Sequence, residues 1–392
     1  MRWPFAGNDE GAAIPDDSNS PPEISFAFRL FRELARQNSS SSIFFSPCSV
    51  MLSLAMVYEG ATGETRSEMA SGLQLSGLDT AGVATVVARL RSILQGNVDV
   101  ELLIANSLWC NKSIPVDPAF SARIHEEYGA EVREVDFAAA SAAAQINAWV
   151  SEKTAGKIPH MVDCLDPLTL LVALNAIYFK GRWQQPFHKS LTKDQIFTTG
   201  SGIQKTLPRM LKGGKVPYFA TSDFQAVALP YQGSRVAMYV FLPAAKSSLT
   251  KFQAMLSAAE WGNWMKQFVL MGGWLHLPRF KMNYQARLRD ALAGLGMARA
   301  FDPKRAEFAG IRSGPPPIWI DNVLHHAVAE VNEEGTEAAA ATATLMGGMA
   351  ARREPPEPTF EMIVDRPFLF LIEDQQTGMI LFTGVVFDPS TD

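Results

Sequence analysis

Two adjacent histidines, His325 and His326, are the side chains best suited to acid–base or metal chemistry in this sequence. Imidazole changes its charge near neutral pH and is a common metal ligand. The pair stands in IWIDNVLHHAVAEVNEE, a pattern typical of a strand, in which neighbouring side chains point to opposite faces. Because the two imidazoles then face apart, the sequence predicts no metal site at this pair.

The sequence lacks the motifs that position catalytic groups. It contains no GxSxG nucleophile elbow, no GxxxxGK(S/T) phosphate loop, no GxGxxG turn, no HExxH helix and no CxxC pair. The acidic residues show no spacing that singles out a catalytic pair. We therefore expect no catalytic residues, no bound metal and no cofactor, and the protein is not expected to be an enzyme.

A segment of small residues follows the histidine strand. It spans residues 332–353, NEEGTEAAAATATLMGGMAARR, and only Thr, Glu and Ala occur between Thr336 and Thr344. Gly335 allows a backbone hinge at its start. In a strand alternate residues share a face, so Glu337 lies on one face and only small residues lie on the other: Thr336, Ala338, Ala340, Thr342 and Thr344. One face can therefore be buried while the charge stays in water.

Taken alone, the same segment also fits a short surface helix. Alanine is the best helix former, and Gly347 and Gly348 are typical of a helix end. The neighbouring sequence favours an extended form. VLHHAVAEVNEE upstream is typical of a buried strand, and DRPFLFLIEDQQTGMILFTGVVFDP downstream predicts two apolar strands around a turn.

Helices and strands alternate along the rest of the chain. Apolar residues at helical spacing from Glu23 predict a first helix that ends near Asn38. SPCSVMLSLAMVYEG is apolar on all sides, which predicts a central, buried helix. Further helices are predicted near 63–73, 81–95, 117–128, 139–154 and 248–266, and further strands over VDVELLIANSLW, between Asp194 and Pro243, and over WLHLPRFKMNY.

Composition and charge exclude several classes of protein. The chain has 392 residues, of which 47% are hydrophobic and 19% charged, so it is typical of a globular protein with a large core. The net charge is −5 and no dense Lys/Arg run occurs, which argues against nucleic-acid binding. The longest apolar stretch, from Leu168, is too short to span a membrane. Cys48, Cys110 and Cys164 are odd in number and far apart, so we expect buried, reduced thiols.

Two long stretches resemble the serpin family. The hinge sequence VNEEGTEAAAATA is similar to that of inhibitory serpins, and the second match runs from QINAWVSEKTAGKIPH to FKGRWQQPF. The resemblance covers about residues 23 to 390. It rests on residues of unlike chemistry at fixed spacing, namely Asn147, Gly156, Lys157, Ile158, Asn175, Phe179, Lys180, Gly181, Trp183, Phe187, Phe301, Phe308 and Gly310.

This resemblance implies a mixed α/β fold, the serpin fold, with three β-sheets, about eight to nine helices and an exposed reactive-centre loop. One domain is expected over residues 23–392, in which residues 332–366 hold the hinge, the loop and its C-terminal limb. Residues 1–22 are polar, rich in Gly and Pro, and lack the apolar segment of a secretory signal, so we expect a flexible tail. The missing signal favours the cytoplasm, whereas the resemblance implies the extracellular space, and both remain open.

The resemblance also assigns two groups of site residues. The hinge comprises Glu333, Glu334, Gly335, Thr336, Glu337, Ala338, Ala339, Ala340, Ala341 and Thr342. The region where the central sheet opens comprises Ser46, Ser49, Asn175, Trp183 and His325. Simpler interpretations stand beside these roles: the serines are also typical helix caps, His325 is also a hydrogen-bonded core histidine, and Trp183 is also an ordinary core aromatic.

This resemblance implies that the protein acts as a suicide substrate of serine proteases. The protease cleaves the exposed loop, remains attached as an acyl-enzyme, and is carried along when the loop inserts into the central sheet. The small side chains favour insertion, because proline would remove a ladder hydrogen bond and a charge facing the core would be desolvated. The alternative is a non-inhibitory binding or carrier protein with the same fold.

The family register, counted from Gly335, places the cleaved bond between Met349 and Ala350. A methionine there suits chymotrypsin-like, elastase-like or subtilisin-like proteases. Arg352 or Arg353 is the rival position and would suit a trypsin-like protease. We expect no cofactor, no nucleic-acid or membrane partner, and a monomer.

Overall fold

The computed structural model describes residues 20–96, 100–247, 249–315, 317–336 and 359–390. The first four hinge residues, up to Thr336, lie within these ranges. Hinge residues 337–342 and the candidate cleavage positions Met349, Ala350, Arg352 and Arg353 lie outside the described residues, as does most of the N-terminal tail.

The described residues form nine α-helices, close to the positions predicted from apolar spacing. They are α1 Pro22–Gln37, α2 Pro47–Gly60, α3 Gly63–Gly72, α4 Thr80–Gln95, α5 Pro118–Tyr128, α6 Ala142–Lys153, α7 Leu249–Met255, α8 Ala258–Met265 and α9 Arg289–Leu292. The single helical piece predicted over 248–266 is thus two helices. The second begins at Ala258, where the Ser257 side chain accepts a hydrogen bond from the Glu260 N–H, a normal helix start.

Fifteen strands complete the described fold. They are β1 Ile43–Phe45, β2 Val100–Asn111, β3 Glu131–Val135, β4 Leu171–Arg182, β5 Lys193–Thr198, β6 Gln204–Ala220, β7 Phe224–Pro230, β8 Val236–Pro243, β9 Val269–Pro278, β10 Phe280–Arg287, β11 Asn322–Val331, β12 Gly335–Thr336, β13 Thr359–Ile363, β14 Phe368–Asp374 and β15 Met379–Val386.

These strands pair into a six-stranded and a nine-stranded sheet. The larger sheet follows the order β1-β15-β14-β8-β7-β6-β9-β13, with β5 on β6. One part of the larger sheet holds β1, β15, β14, β8 and β7, and the other holds β5, β6, β9 and β13. Among the described strands, the two parts are joined only where residues 218–220 of β6 pair with β7. If they are counted separately, they and the six-stranded sheet give the three sheets expected from the resemblance.

The stretch WLHLPRFKMNY, predicted as one strand, contributes to both sheets. Its first half belongs to β9 in the larger sheet and its second half to β10 in the smaller one. The break falls at Pro278–Arg279, because proline has no N–H to continue a ladder and the Arg279 N–H donates to the Pro208 carbonyl instead. The prediction of a single strand was therefore wrong.

The six-stranded sheet has the order β10-β11-β12-β4-β2-β3, and β11 also pairs directly with β4. Helix α2 contacts β4 and β15, between the two sheets. Almost every residue of α2 is buried, as its uniformly apolar sequence predicts. On the opposite face of the sheet lies α6, where Trp149 meets Trp109 of β2 at a ring-centroid distance of 5.9 Å.

The three cysteines are free, but their burial differs. Cys48 and Cys110 are buried, as predicted, and burial raises the pKa of the Cys110 thiol to about 12. Cys164 is exposed, so the prediction of burial was wrong for this residue. Cys164 lies in the connection between α6 and β4, where the sequence has no apolar periodicity from which burial or exposure could be predicted.

Candidate functional site

Three polar side chains form a row across the middle of the six-stranded sheet. Asn106 of β2 is paired with Asn175 of β4, and Asn175 is paired with His325 of β11. Residues directly opposite each other in neighbouring strands share a face. The strand register therefore brings these three side chains together on the face that meets the start of α2.

The row continues into helix α2 through a defined set of hydrogen bonds. The Ser46 N–H donates to His325 Nε2 at 3.4 Å, so Nε2 carries no proton, and Nδ1 donates to Asn175 Oδ1 at 2.5 Å. The Asn175 amide then donates to Ser49 Oγ at 2.5 Å and to the side-chain oxygen of Asn106. We call these five residues the sheet lock.

The sheet lock is dry and uncharged. Four of its side chains are fully buried and Asn106 is 9% exposed. Burial, with a smaller contribution from the neighbouring His326, lowers the pKa of His325 to about 3, so the imidazole is neutral at physiological pH. Ser46 also accepts a hydrogen bond from the Ser49 N–H at 3.3 Å and caps α2, so the capping interpretation is correct for Ser46.

The other histidine points away from this cluster, as the strand pattern predicts. His326 Nε2 lies 2.6 Å from Asn283 Oδ1 of β10. Within the described part of the chain, no group of three or more His, Cys, Asp or Glu side chains is arranged to hold a metal ion. None of the helices described has the length and apolar composition of a membrane span.

The hinge enters the same sheet at one end of the β4–β11 pair. These two strands run parallel and pair directly from Asn322–Val172 to Ala329–Phe179. Beyond that point the two-residue strand β12 lies between them, with Thr336 opposite both Val331 and Gly181. Gly335 and Thr336 of the hinge therefore form a short strand between the ends of β4 and β11.

Two glycines allow this close approach. A Cβ atom on Gly335 would collide with the carbonyl oxygen of Gly181, which belongs to β4. A Cβ atom on Gly181 would come within 2.7 Å of the Tyr231 ring, which is less than real Cβ contacts allow. The Tyr231 hydroxyl in turn lies 2.8 Å from Thr336 Oγ1.

Trp183 joins the hinge to the end of β4. Its backbone N–H donates to the Glu334 carbonyl at 3.0 Å, and its indole N–H donates to the Asn332 carbonyl at 2.9 Å. The indole is 2% exposed and stacks on Tyr231 with a centroid distance of 4.6 Å. Trp183 is therefore both a core aromatic and the residue that the hinge contacts at its entry point.

The acidic residues of the hinge are held by cations. The Glu333 carboxylate receives three hydrogen bonds of 2.6 to 2.9 Å from Arg279 and one of 2.5 Å from Thr192. Burial raises the pKa of Glu333, but these hydrogen bonds lower it by more than burial raises it. The net shift of the Glu333 pKa is therefore downward. Glu334 pairs with Lys189 at 2.5 Å.

The residues predicted for the sheet-opening region divide into two clusters. Ser46, Ser49, Asn175 and His325 meet in the sheet lock, whereas Trp183 lies one residue past the end of β4, eight positions from Asn175 and about 26 Å away in strand length. Sequence reasoning did not identify Asn106, Tyr231 or Arg279. Asn106 carried a usable signal, since it is a polar residue in the middle of an apolar strand.

Comparison with known proteins agrees with this arrangement. The family model described as Serpin (serine protease inhibitor) matches residues 23–389. An uncharacterized serpin-like protein of Thermococcus kodakarensis is 38% identical over 93% of this chain and 84% of that protein. The leukocyte elastase inhibitor of Bos taurus is 36% identical over 93% of this chain and 97% of that protein.

Solved structures show the same architecture. The crystal structure of the thermophilic serpin tengpin in its native state superposes with a TM-score of 0.86 and 25% identity, over 96% of both chains. The family match spans the strands, the sheet lock and the described hinge residues. The chain therefore belongs to the serpin family.

Proposed function

We propose that this protein inhibits serine proteases as a suicide substrate, by inserting its cleaved loop between β4 and β11. The observation that carries the proposal is the position of Thr336. This residue is fully buried and pairs with both strands, so the hinge lies between them at the point where their direct pairing ends.

If insertion continues the register of β12, each further residue has a defined partner in β4. Thr336 lies opposite Gly181 and Gly335 opposite Arg182, so the pairing is antiparallel. Continued insertion would bring residues 337–346 opposite residues 180–171 of β4, a path of about 33 Å. The inward face of the new strand would carry Ala338, Ala340, Thr342 and Thr344, because Thr336 faces inward. Small side chains of this kind suit the space above α2.

The same register favours Met349 as the residue that the protease recognises. Met349 would lie three residues beyond the end of β4 after insertion, so a protease attached there would reach the far end of the sheet. Arg352 and Arg353 would lie six and seven residues beyond it. Cleavage there would leave a longer unpaired segment between the inserted strand and the protease, so the protease would be held less tightly against the sheet.

The sheet lock opposes insertion until cleavage frees the loop. Asn175 and His325 belong to the two strands that must separate, and eight residue pairs join these strands directly. Insertion exchanges this direct pairing for pairing with a new central strand. If each added residue contributes about 1 kcal/mol of net hydrogen bonding, ten residues supply on the order of 10 kcal/mol. That energy is available to distort the oxyanion hole of a trapped protease and so stop deacylation.

The test is to mix the full chain separately with chymotrypsin and trypsin, then apply denaturing gels and intact-mass analysis. We expect a complex with chymotrypsin that survives denaturation, together with a released peptide that begins at Ala350. A peptide beginning at Arg353 or Glu354 would retain the mechanism and move the cleaved bond to an arginine. Clean cleavage by both proteases without a complex would overturn the proposal in favour of a non-inhibitory binding or carrier protein.

A further inference from the structure

A cavity of about 240 Å³ lies against Trp183, at the hinge end of the six-stranded sheet. Its walls are mainly apolar and include Val216, Pro217, Leu229 and Leu270. We call it the Trp183 cavity. Its volume lies just below the range of roughly 300–1,000 Å³ found for pockets of drug-sized ligands, so it suits a smaller molecule of one or two rings.

Lys212, one of two lysines in the cavity lining, has no carboxylate partner among the described residues. Its ammonium group donates a hydrogen bond to the Gln185 carbonyl and lies 5.3 Å from the centre of the Phe187 ring. Burial lowers the pKa of its ammonium group to about 8, because the group has lost part of its hydration.

An ammonium group has three N–H donors, and the Gln185 carbonyl accepts from one of them. Two donors are therefore left for a ligand. A carboxylate satisfies them best, since charge-assisted hydrogen bonds are roughly twice as strong as neutral ones.

We propose that the Trp183 cavity binds a small aromatic carboxylate, whose anionic group pairs with Lys212 and whose ring packs between Leu229 and Leu270. Lys212 is then the residue that selects an acid over its neutral analogue. The apolar walls select a flat ring over a polar anion such as phosphate.

The position of the cavity links this ligand to the hinge. Trp183 forms part of its lining and also donates hydrogen bonds to the Asn332 and Glu334 carbonyls. A ligand that contacts the part of Trp183 exposed in the cavity stabilises the present position of the hinge, and a ligand shifts an equilibrium toward the state that it binds better. We expect it to slow loop insertion, a consequence that rests on the proposed inhibitory function.

Binding is tested with the full chain and two probes, indole-3-acetate and its uncharged amide, by isothermal titration calorimetry. We expect a dissociation constant of about 0.1–1 mM for the acid and binding at least about tenfold weaker for the amide. Lys212→Gln should weaken the acid about tenfold and leave the amide unchanged, and Lys212→Arg should restore most of the loss. Lys304→Gln is the control, since Lys304 is exposed and lies outside the cavity lining.

The link to the hinge is tested by amide hydrogen exchange, which needs no protease. Saturating acid should slow exchange at the Trp183 amide in the wild type and not in Lys212→Gln. If the acid binds no better than the amide, or Lys212→Gln binds it normally, the cavity assignment is overturned. If the acid binds but hinge exchange is unchanged, the regulatory link is overturned. Because both readouts are independent of inhibition, failure of the proposed function would appear separately, as the absence of a stable protease complex.

Discussion

The hydroxyl oxygen of Thr336 lies 2.8 Å from that of Tyr231, and both residues are fully buried. Tyr231 reaches this position because Gly181 leaves space for its ring. The contact fixes the last described residue of the hinge inside the central sheet. The contact thus holds the start of the strand that we propose to insert in place.

We first predict that Tyr231 and Thr336 are energetically coupled. Tyr231→Phe and Thr336→Val should each lower the free energy of unfolding by about 1–2 kcal/mol, because each leaves a buried hydroxyl without a partner. The double variant should lose about 1 kcal/mol less than the sum. Urea unfolding measures these values, with Tyr218→Phe as a half-exposed control. Additive losses would show that the two hydroxyls do not form a stabilising pair.

A second prediction concerns Arg279, which holds the buried carboxylate of Glu333. Arg279→Gln should destabilise the protein by about 1–2 kcal/mol at neutral pH, a reduced value because the arginine side chain is 45% exposed. The surface variant Arg133→Gln, which breaks an exposed pair with Glu131, should change stability by less than about 0.5 kcal/mol.

The pH dependence of this effect has a defined sign. The folded protein lowers the pKa of Glu333 below its ordinary value of 4.5, so the pair stabilises the fold above that pH and the contribution is lost as pH falls through the lowered pKa. The difference between wild type and Arg279→Gln should therefore shrink in acid. An equal difference at pH 7 and at pH 3 would contradict the ion-pair account.

A third prediction addresses the sheet lock. Asn175→Ala removes the acceptor for His325 Nδ1 and the donor to Ser49, so we expect a loss of about 2–4 kcal/mol. Because Asn175 joins the strands that separate in the proposed insertion, the variant should also convert faster to a self-associated form on mild heating. Size-exclusion chromatography after heating measures this conversion. Asn322→Ala, at the half-buried start of β11, is the control, and equal conversion in both variants would reject the lock.

A fourth prediction follows from a buried carboxyl group outside the hinge. Burial, with a contribution from Asp374, raises the pKa of Glu373 to about 7 although Tyr239 and Trp261 donate to it. A raised pKa means that the folded state holds the proton longer than the unfolded state. The associated stability is complete below about pH 4.5 and is lost as pH rises through 7.

Glu373→Gln should remove this dependence, because an amide does not titrate. Chemical unfolding between pH 5 and 8 should show the wild type losing stability relative to the variant as pH rises. Parallel curves for the two proteins across this range would show that Glu373 is ionised throughout.

The sequence predicts the helices and strands of this fold well, because apolar spacing reports directly on burial. The uniformly apolar α2 and the alternation that separates His325 from His326 are examples, and the structure confirms both. The family resemblance adds Asn175, Ser46 and Ser49 as neighbours of His325, and the structure places them together.

Residues whose roles depend on long-range register escape such reasoning. Arg279 meets Glu333 only because Pro278 ends β9 and sends the chain into the other sheet. Tyr231 contacts Thr336 only because Gly181 of β4 leaves space for the tyrosine ring. No local pattern contains these relationships, since each one depends on how separate strands are aligned.

The melting temperature of the chain before and after cleavage within residues 337–358 tests the central claim most directly. If the freed loop inserts between β4 and β11, it adds on the order of 10 kcal/mol of pairing, and the cleaved protein should melt at least about 20 °C higher than the intact one. A cleaved protein that melts at the same temperature, or lower, would contradict insertion and with it the inhibitory mechanism.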